Sequence, residues 1–509
     1  MSGTLLEAAA PAVVTTQPSR SWAAVFTLAR FEARKLLSRV LVLLALAAYT
    51  GWIVWRTRDA FDGYPALQDA DRATQGGPLL VGLAVLLCVN HAMLRSRRHD
   101  TERHLAVLVL QPWQRTAAHV LSVAPVAVLV TVGVAVQFAW QALRPGAIGH
   151  GSPSELLVGP LVVLLFGAVG ALLARVLSSL ITAPLLIVFC LLVFLLGTIP
   201  SPGDDGTRWL YPVVGENTAK TLPSDLLGRP AAWHALYLLG LALSVALCAI
   251  VAHAGRTPHA LKAVLGGALV LAVVGGACQT AGVPAATTAA RERASVTPEK
   301  EQTCVREGRS TYCAFPEWTP RTGTWAGIVD QVQSLAGGTA ATRPLLVRQR
   351  VEARYGLSSD SAIDPLTKPG QVSVGTAWGG NRVPEFAAAV ASVLVAGKEK
   401  AGGEMCDGRM VTVMWLALGA QSDPVASFRN VRLDDSVTGS AIVLSPTDPL
   451  SMTTAQTEVV RELFDRPRAE VTAKVKANWT ELTSAKVTAA RAAELLGVAV
   501  PKGEDQCDE

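Results

Sequence analysis

The chain runs to 509 residues, of which 50% are hydrophobic and 17% charged, with a formal net charge of +5. So much apolar content excludes a disordered chain, and so small a net charge leaves no case for a nucleic-acid partner. The charge is also uneven, with Lys and Arg gathered in short segments of the first half and the second half close to neutral.

Residues 1–19 carry no basic n-region, and no small-residue cleavage site follows the first apolar run; they read as a disordered cytoplasmic tail rather than a cleaved signal. Residues 20–39 predict an amphipathic interfacial helix. Trp22, Val25, Phe26, Ala29, Ala33 and Leu36 recur at helical spacing, and Arg30 and Arg34 project away from them. Seven apolar stretches follow: Val40–Trp55, Gly77–Leu94, Ala117–Trp140, Leu156–Leu173, Leu180–Ile199, Ala232–Ala254 and Leu261–Ala281. A helix of roughly twenty residues, rising ~1.5 Å per residue, crosses a ~30 Å hydrocarbon layer. The runs Val81–Cys88 and Pro184–Leu196 are apolar all round, where a soluble surface helix keeps a polar face. The expectation is an α-helical polytopic membrane protein of about seven transmembrane helices followed by a soluble α+β domain. Its parts are a six-span membrane region at 40–255, a seventh span within 256–282, a linker at 283–300 and a domain at 301–509.

Orientation follows from the basic residues of the short connections. One set of segments carries Arg30, Arg34, Lys35, Arg39, Arg95, Arg97, Arg98, Arg103, Arg115, Arg175, Arg256 and Lys262. The alternating set has fewer, and Asp59, Asp62, Asp69, Asp71, Asp204 and Asp205 sit among them. The reading is a multi-pass protein of the plasma membrane, N-terminus cytoplasmic and C-terminal domain extracytoplasmic. Cysteines agree: Cys88, Cys190, Cys248 and Cys278 fall in spans, and Cys304, Cys313, Cys406 and Cys507 in the exported part, where oxidation is permitted. Gly308-Arg309 at the midpoint makes a two-residue hairpin loop that sets Cys304 opposite Cys313, which leaves Cys406 for Cys507.

No Asp, Glu, Lys or Arg falls in the middle of a span, which disfavours a proton- or sodium-coupled carrier and an ion-selective pore. Asn90, His91, His119, Gln137, His234 and His253 read as packing contacts between helices. Any energy for transport then comes from elsewhere, and the cytoplasmic segment 95–116 is the place to look. It is a charged turn, a short apolar helix starting near an Asp100 or Thr101 cap, and a stop at Pro112.

An amphipathic helix with Arg30, Glu32 and Arg34, two spans, then a basic loop with Asp100, Thr101, Glu102, Arg103, Leu105, Pro112 and Arg115 resembles the permease subunit of type-2 ATP-binding-cassette (ABC) exporters. The resemblance covers roughly residues 20–255. It implies that the N-terminal helix is a connecting helix, and that the loop docks on a separate cytoplasmic ABC ATPase. It also implies that two copies, or this chain and a sister permease, enclose the path. The chain departs from the family in having Asp100 where Gly is frequent, a longer Thr-to-Pro spacing, a seventh span and an outer domain. It has no G-x-x-x-x-G-K-[ST], so ATP belongs to the partner and no cofactor to this chain.

In the outer domain, Thr303–Phe315 predicts the disulfide-clasped hairpin, and Val347–Tyr355 a half-exposed strand with Gln349 as a polar intruder on its apolar face. Val372–Trp378, Val411–Leu418 and Ala441–Leu444 predict strands; Trp325–Leu335, Val383–Val395, Thr454–Phe464 and a broken Arg468–Leu496 predict helices. All 8 histidines lie at or before His259, which removes Ser-His-Asp, Cys-His and H-E-x-x-H chemistry from this domain. The acids Asp434-Asp435 read as a solvated loop, and the chain is not expected to be an enzyme. Cys304 through Pro316-Glu-Trp318 resembles an extension of actinobacterial permease-type proteins. The leading expectation is an exporter permease with an outer accessory domain. The alternative is a membrane-anchored binding, sensing or immunity protein whose spans are scaffold, and an exported carboxylate-based hydrolase stands third.

Overall fold

The computed structural model describes residues 18–59, 64–98, 110–177, 179, 181–197, 206–214, 221–252, 259–355, 363–379, 382–431, 441–443, 445–447 and 449–502. Its first half is helical: α1 (Pro18–Leu37), α2 (Val40–Asp59), α3 (Leu67–Ala73), α4 (Gly76–Arg98), α5 (Pro112–Leu121), α6 (Ala124–Ala142), α7 (Pro153–Val176), α8 (Thr182–Gly197), α9 (Ala231–Val251), α10 (His259–Thr280) and α11 (Ala285–Val296). Among the described residues six helical segments are long and apolar enough to cross a membrane. The fifth expected span is α8, apolar throughout but 16 residues long. At ~1.5 Å per residue that falls short of a ~30 Å layer.

α7 is the central helix, packed against α4, α6 and α9, and α10 lies along α9. Glycines permit these contacts: a Cβ on Gly170 would meet the Leu86 carbonyl oxygen at 2.5 Å. Gly240 and Gly275 face each other's helices in the same way, at 2.4 Å from Ala272 N and 2.6 Å from Tyr237 N. Close approach through small residues is how helices associate where lipid removes the hydrophobic drive. Asn90 donates to the Gly170 carbonyl (3.3 Å) and His234 meets Gln279 (3.0 Å), so these two polar residues join helices as expected. His253 lies outside the described residues.

The second half holds a four-stranded sheet in the order β1 (Thr303–Glu307), β2 (Ser310–Ala314), β3 (Leu346–Gln349), β4 (Gln371–Val374). β1 and β2 form the expected hairpin with Cys304 opposite Cys313 and a disulfide between them. Gly308 takes φ +59°, the left-handed conformation a two-residue turn needs. Strands β2, β3 and β4 run parallel, with the helix Thr322–Leu335 in the β2–β3 crossover. Cys406 is disulfide-bonded, and Cys507 lies outside the described residues.

Two expectations are corrected. Val411–Leu418 is not a strand but part of the helix Arg409–Leu418, buried on every side. A short apolar run buried all round has no periodicity to tell one from the other. The strand over 347–355 ends at Gln349, and Tyr355 is exposed. Within the expected linker at 283–300, α11 occupies most of the stretch and buries Arg291 and Ala294. The helix over 468–496 is broken as expected, into Arg468–Ala477, Trp479–Leu482 and Ala489–Leu496.

Candidate functional site

Polar residues concentrate at the two ends of the bundle, here termed the basic end and the domain end. At the basic end, Val25, Ala29, Ala33 and Leu36 form the buried stripe of α1; Val25 and Ala29 pack with Ala117, Ala118 and Ile250. Trp22 and Phe26, on the apolar face of the expected interfacial helix, are exposed at 48% and 60%. Glu32 lies on the buried side of α1, and its Oε1 meets Arg95 Nη2 of the last turns of α4 at 3.1 Å. A buried carboxylate is tolerated because that partner is there. Trp22 also meets Trp113 edge-on, ring centroids 6.0 Å apart. Pro112 opens α5 at its first turn and Gln111 with Gln114 closes a capping box. Arg115 follows half-buried, and Arg175 at the end of α7 donates to the Thr116 hydroxyl at 2.7 Å.

The structure therefore brings α1 against the residues on both sides of the segment 99–109, which lies outside the described residues. Arg30 and Arg34 are exposed on the other side of α1. Asp100, Thr101, Glu102, Arg103 and Leu105 lie outside the described residues.

At the domain end a second network joins loops that are far apart in sequence. Arg72 of α3 donates to Glu155 Oε2 of α7 (2.8 Å) and to the Val214 carbonyl (3.1 Å), and its guanidinium lies 4.9 Å from the Trp209 ring centroid. Gln75 donates to the same carboxylate oxygen. Asp71 Oδ2 accepts from Ser152 N at 2.8 Å, and its Oδ1 stands 3.8 Å from Arg229 Nη1. Asp71 and Glu155 are both buried. A cavity of about 350 Å³ lies beside them, lined also by Gln68, His150, Ser152 and Arg229. Among the described residues no group of three His, Cys, Asp or Glu side chains is arranged to hold a metal ion. This network was not singled out from sequence: Asp69 and Asp71 appear there only as charges of a connection, with nothing to pair Arg72 with Glu155.

The C-terminal domain is clasped to this end. Arg321 Nη2 donates to the Tyr64 carbonyl at 2.8 Å and, more weakly, to those of Pro65 (3.4 Å) and Gly146 (3.5 Å). Burial pushes the Arg321 guanidinium down to about 10. Glu317 takes His150 Nδ1 and Ser224 N on its two oxygens, each at 3.1 Å. Arg291 of α11 donates to the carbonyls of Leu226 (2.8 Å) and Leu227 (2.9 Å). Ala66, Ile148, Leu222, Leu226 and Leu227 belong to the same apolar core as Trp318 and Trp325 of the domain. Among the described residues, the connections carrying Asp69, Asp71, Gly146, Ser152, Val214 and Leu226 thus gather at the domain end, and those carrying Arg39, Arg95, Arg115 and Arg175 at the other. The arginines of the 348–354 stretch are engaged within the domain: Arg348 with Gln302 (3.2 Å), Arg350 with Ser373 (3.4 Å) and Arg354 with Glu352 (2.6 Å). Asp434 and Asp435 lie outside the described residues.

Comparisons of the chain with protein-family models, with characterised proteins and with solved structures find no match.

Proposed function

We propose that this chain is a transport subunit of the membrane, a bundle without an energy source of its own that is driven through its basic end. More particularly, it is the permease of an ABC-type exporter, with the basic end in the cytoplasm and the C-terminal domain outside. The observation that carries this reading is the meeting of α1 with the residues on both sides of the segment 99–109. The Glu32–Arg95 pair and the Trp22–Trp113 contact tie α1 to the end of α4 and the start of α5, which bracket that charged segment. Such a surface is suited to receive a soluble ATPase and to pass a push from it into α4 and α5. A homodimer, or a pair with a sister permease, completes the path.

The test is affinity purification of the full chain from its native membrane. Recovery of a Walker-type ATPase, reduced at least tenfold by Glu102→Ala with Arg103→Ala, supports the proposal. Absence of any such ATPase, or recovery indifferent to those changes, overturns it. The clasp at the domain end favours a second reading, in which the domain is the working part and the spans hold it. A domain-directed ligand bound equally well with and without the ATPase would favour that one.

A further inference from the structure

The cavity of about 350 Å³ at the domain end lies between α3, the start of α7 and the segment 224–231, and its rim carries the exposed His150 and Asp225. Small-molecule sites occupy about 300–1,000 Å³, so there is room for a ligand. Asp71 and Glu155 in its wall are each 1% exposed, and each leaves one oxygen without a hydrogen bond. Asp71 Oδ2 accepts from Ser152 N, and Glu155 Oε2 from Arg72 and Gln75, whereas Asp71 Oδ1 and Glu155 Oε1 accept from no group. Arg229 Nη1 stands 3.8 Å from Asp71 Oδ1, beyond hydrogen-bond reach, and donates to the Gln68 carbonyl instead.

The two carboxylates are held in place by one backbone turn. Ser152 N–H binds Asp71, and the Ser152 carbonyl takes Glu155 N–H at the start of α7. Ser224 Oγ, also in the wall, is unpaired as well. A buried acceptor without a donor is costly, and more so when it is charged. What this wall lacks is therefore hydrogen-bond donors, and positive ones fit it best. A metal ion is a poorer occupant: among the described residues no three such ligands converge, and Arg72 and Arg229 already stand against the same carboxylates.

We propose that this cavity binds a primary ammonium group, which donates to the open oxygens of Asp71 and Glu155 while Asp225 attracts the cation at the rim. The group arrives on a free amine or on an ethanolamine lipid. The site goes beyond the transport reading and stands without the docking of an ATPase.

The purified full chain is tested by titration calorimetry and thermal stability in detergent with ethanolamine, choline and ethylene glycol, which share a two-carbon body. The expected result is saturable binding and stabilisation by ethanolamine. Choline, charged but without N–H donors, and the neutral glycol should give neither. Asp71→Asn keeps an acceptor for Ser152 N and should weaken binding about tenfold or more, the worth of a hydrogen bond to a charged group. Asp225→Asn, at an exposed position that folding does not need, should weaken it about two- to fivefold. Ser224→Phe, which fills the cavity, should abolish it. Retention of phosphatidylethanolamine over phosphatidylcholine in native mass spectra assigns the ammonium to a lipid; ethanolamine binding without that preference assigns it to a free amine. Four outcomes overturn the site: neither ethanolamine binding nor a preference for phosphatidylethanolamine, equal binding of choline or ethylene glycol, an equal loss on Glu494→Gln in an exposed helix of the C-terminal domain, or displacement of ethanolamine by millimolar magnesium that stabilises equally well. ATPase recovery, measured on the same preparations, reads the docking proposal separately.

Discussion

Arg321 offers a way to measure how firmly the C-terminal domain is held. Its side chain is buried, and removal from water disfavours the charged form, so that its pKa stands near 10 rather than 12.5. A shift of that size corresponds to about 3 kcal/mol. Against it stand one good charge-assisted bond, to the Tyr64 carbonyl at 2.8 Å, and two long ones. A hydrogen bond to a charged group contributes about 1.5–3 kcal/mol. The two effects nearly cancel, so Arg321→Met, which keeps the stem and drops the charge, should cost within about 1 kcal/mol. Arg321→Ala also removes two methylenes, at about 0.8 kcal/mol each, and leaves a cavity, for about 3 kcal/mol in all. The assay is amide hydrogen exchange at Leu67 and Ile148, whose N–H groups bond across the loops beneath Arg321 at 2.8 and 3.1 Å. Exchange should quicken about fivefold in the Met variant and about a hundredfold in the Ala variant. A Met variant as disruptive as Ala would refute this balance and show the charge itself to be the bolt.

Reduction of Cys304–Cys313, or Cys304→Ser with Cys313→Ser, removes a bridge of sequence separation 9 and should destabilise the C-terminal domain by about 2–3 kcal/mol, read as a shift in denaturant midpoint. Gly240→Val should push α9 from α10 and lower the melting temperature of the detergent-solubilised chain by several degrees, while Gly267→Ala, with open space around it, leaves the temperature unchanged. Glu399 is held above its ordinary value of 4.5 by burial, despite bonds from Leu366 N and the Ser373 hydroxyl. A carboxyl raised in the folded state favours folding below its ordinary pKa and loses that contribution as pH rises through the raised value. Stability of the native chain should therefore fall relative to Glu399→Gln as pH climbs from about 4.5, and parallel curves would contradict the assignment.

Much of the architecture was legible because it rests on local chemistry. Span positions follow from apolar length, and the Cys304–Cys313 hairpin from Gly308-Arg309 between two facing cysteines. Gln349 was visible as an intruder on an apolar strand face, and the structure gives its reason: its Oε1 accepts the buried Phe315 N–H at 3.0 Å. What stayed hidden depends on partners distant in sequence. The Arg409–Leu418 helix passed for a strand because it is enclosed by other helices on all sides. The helical nature of 285–296 depends on carbonyls of Leu226 and Leu227 some sixty positions earlier. The Asp71–Arg72–Glu155 network needs α3 and α7 side by side before any of its charges acquires a meaning. At the basic end the periodicity marked one apolar face of α1, and only the structure separates its protein-buried members Val25, Ala29, Ala33 and Leu36 from the exposed Trp22 and Phe26.

The grip of the C-terminal half on the Tyr64, Gly146 and Leu226 segments has a mechanical consequence. These loops belong to different pairs of helices, so pulling the helices apart at that end would tear a shared apolar core. If the chain is the transport subunit proposed above, rearrangement within it is cheap only when it works like tweezers joined at the handle, with the domain as handle and the tips at the far end; distances between probes on α1 and α9 should then change on energisation while those among the clasped loops stay constant.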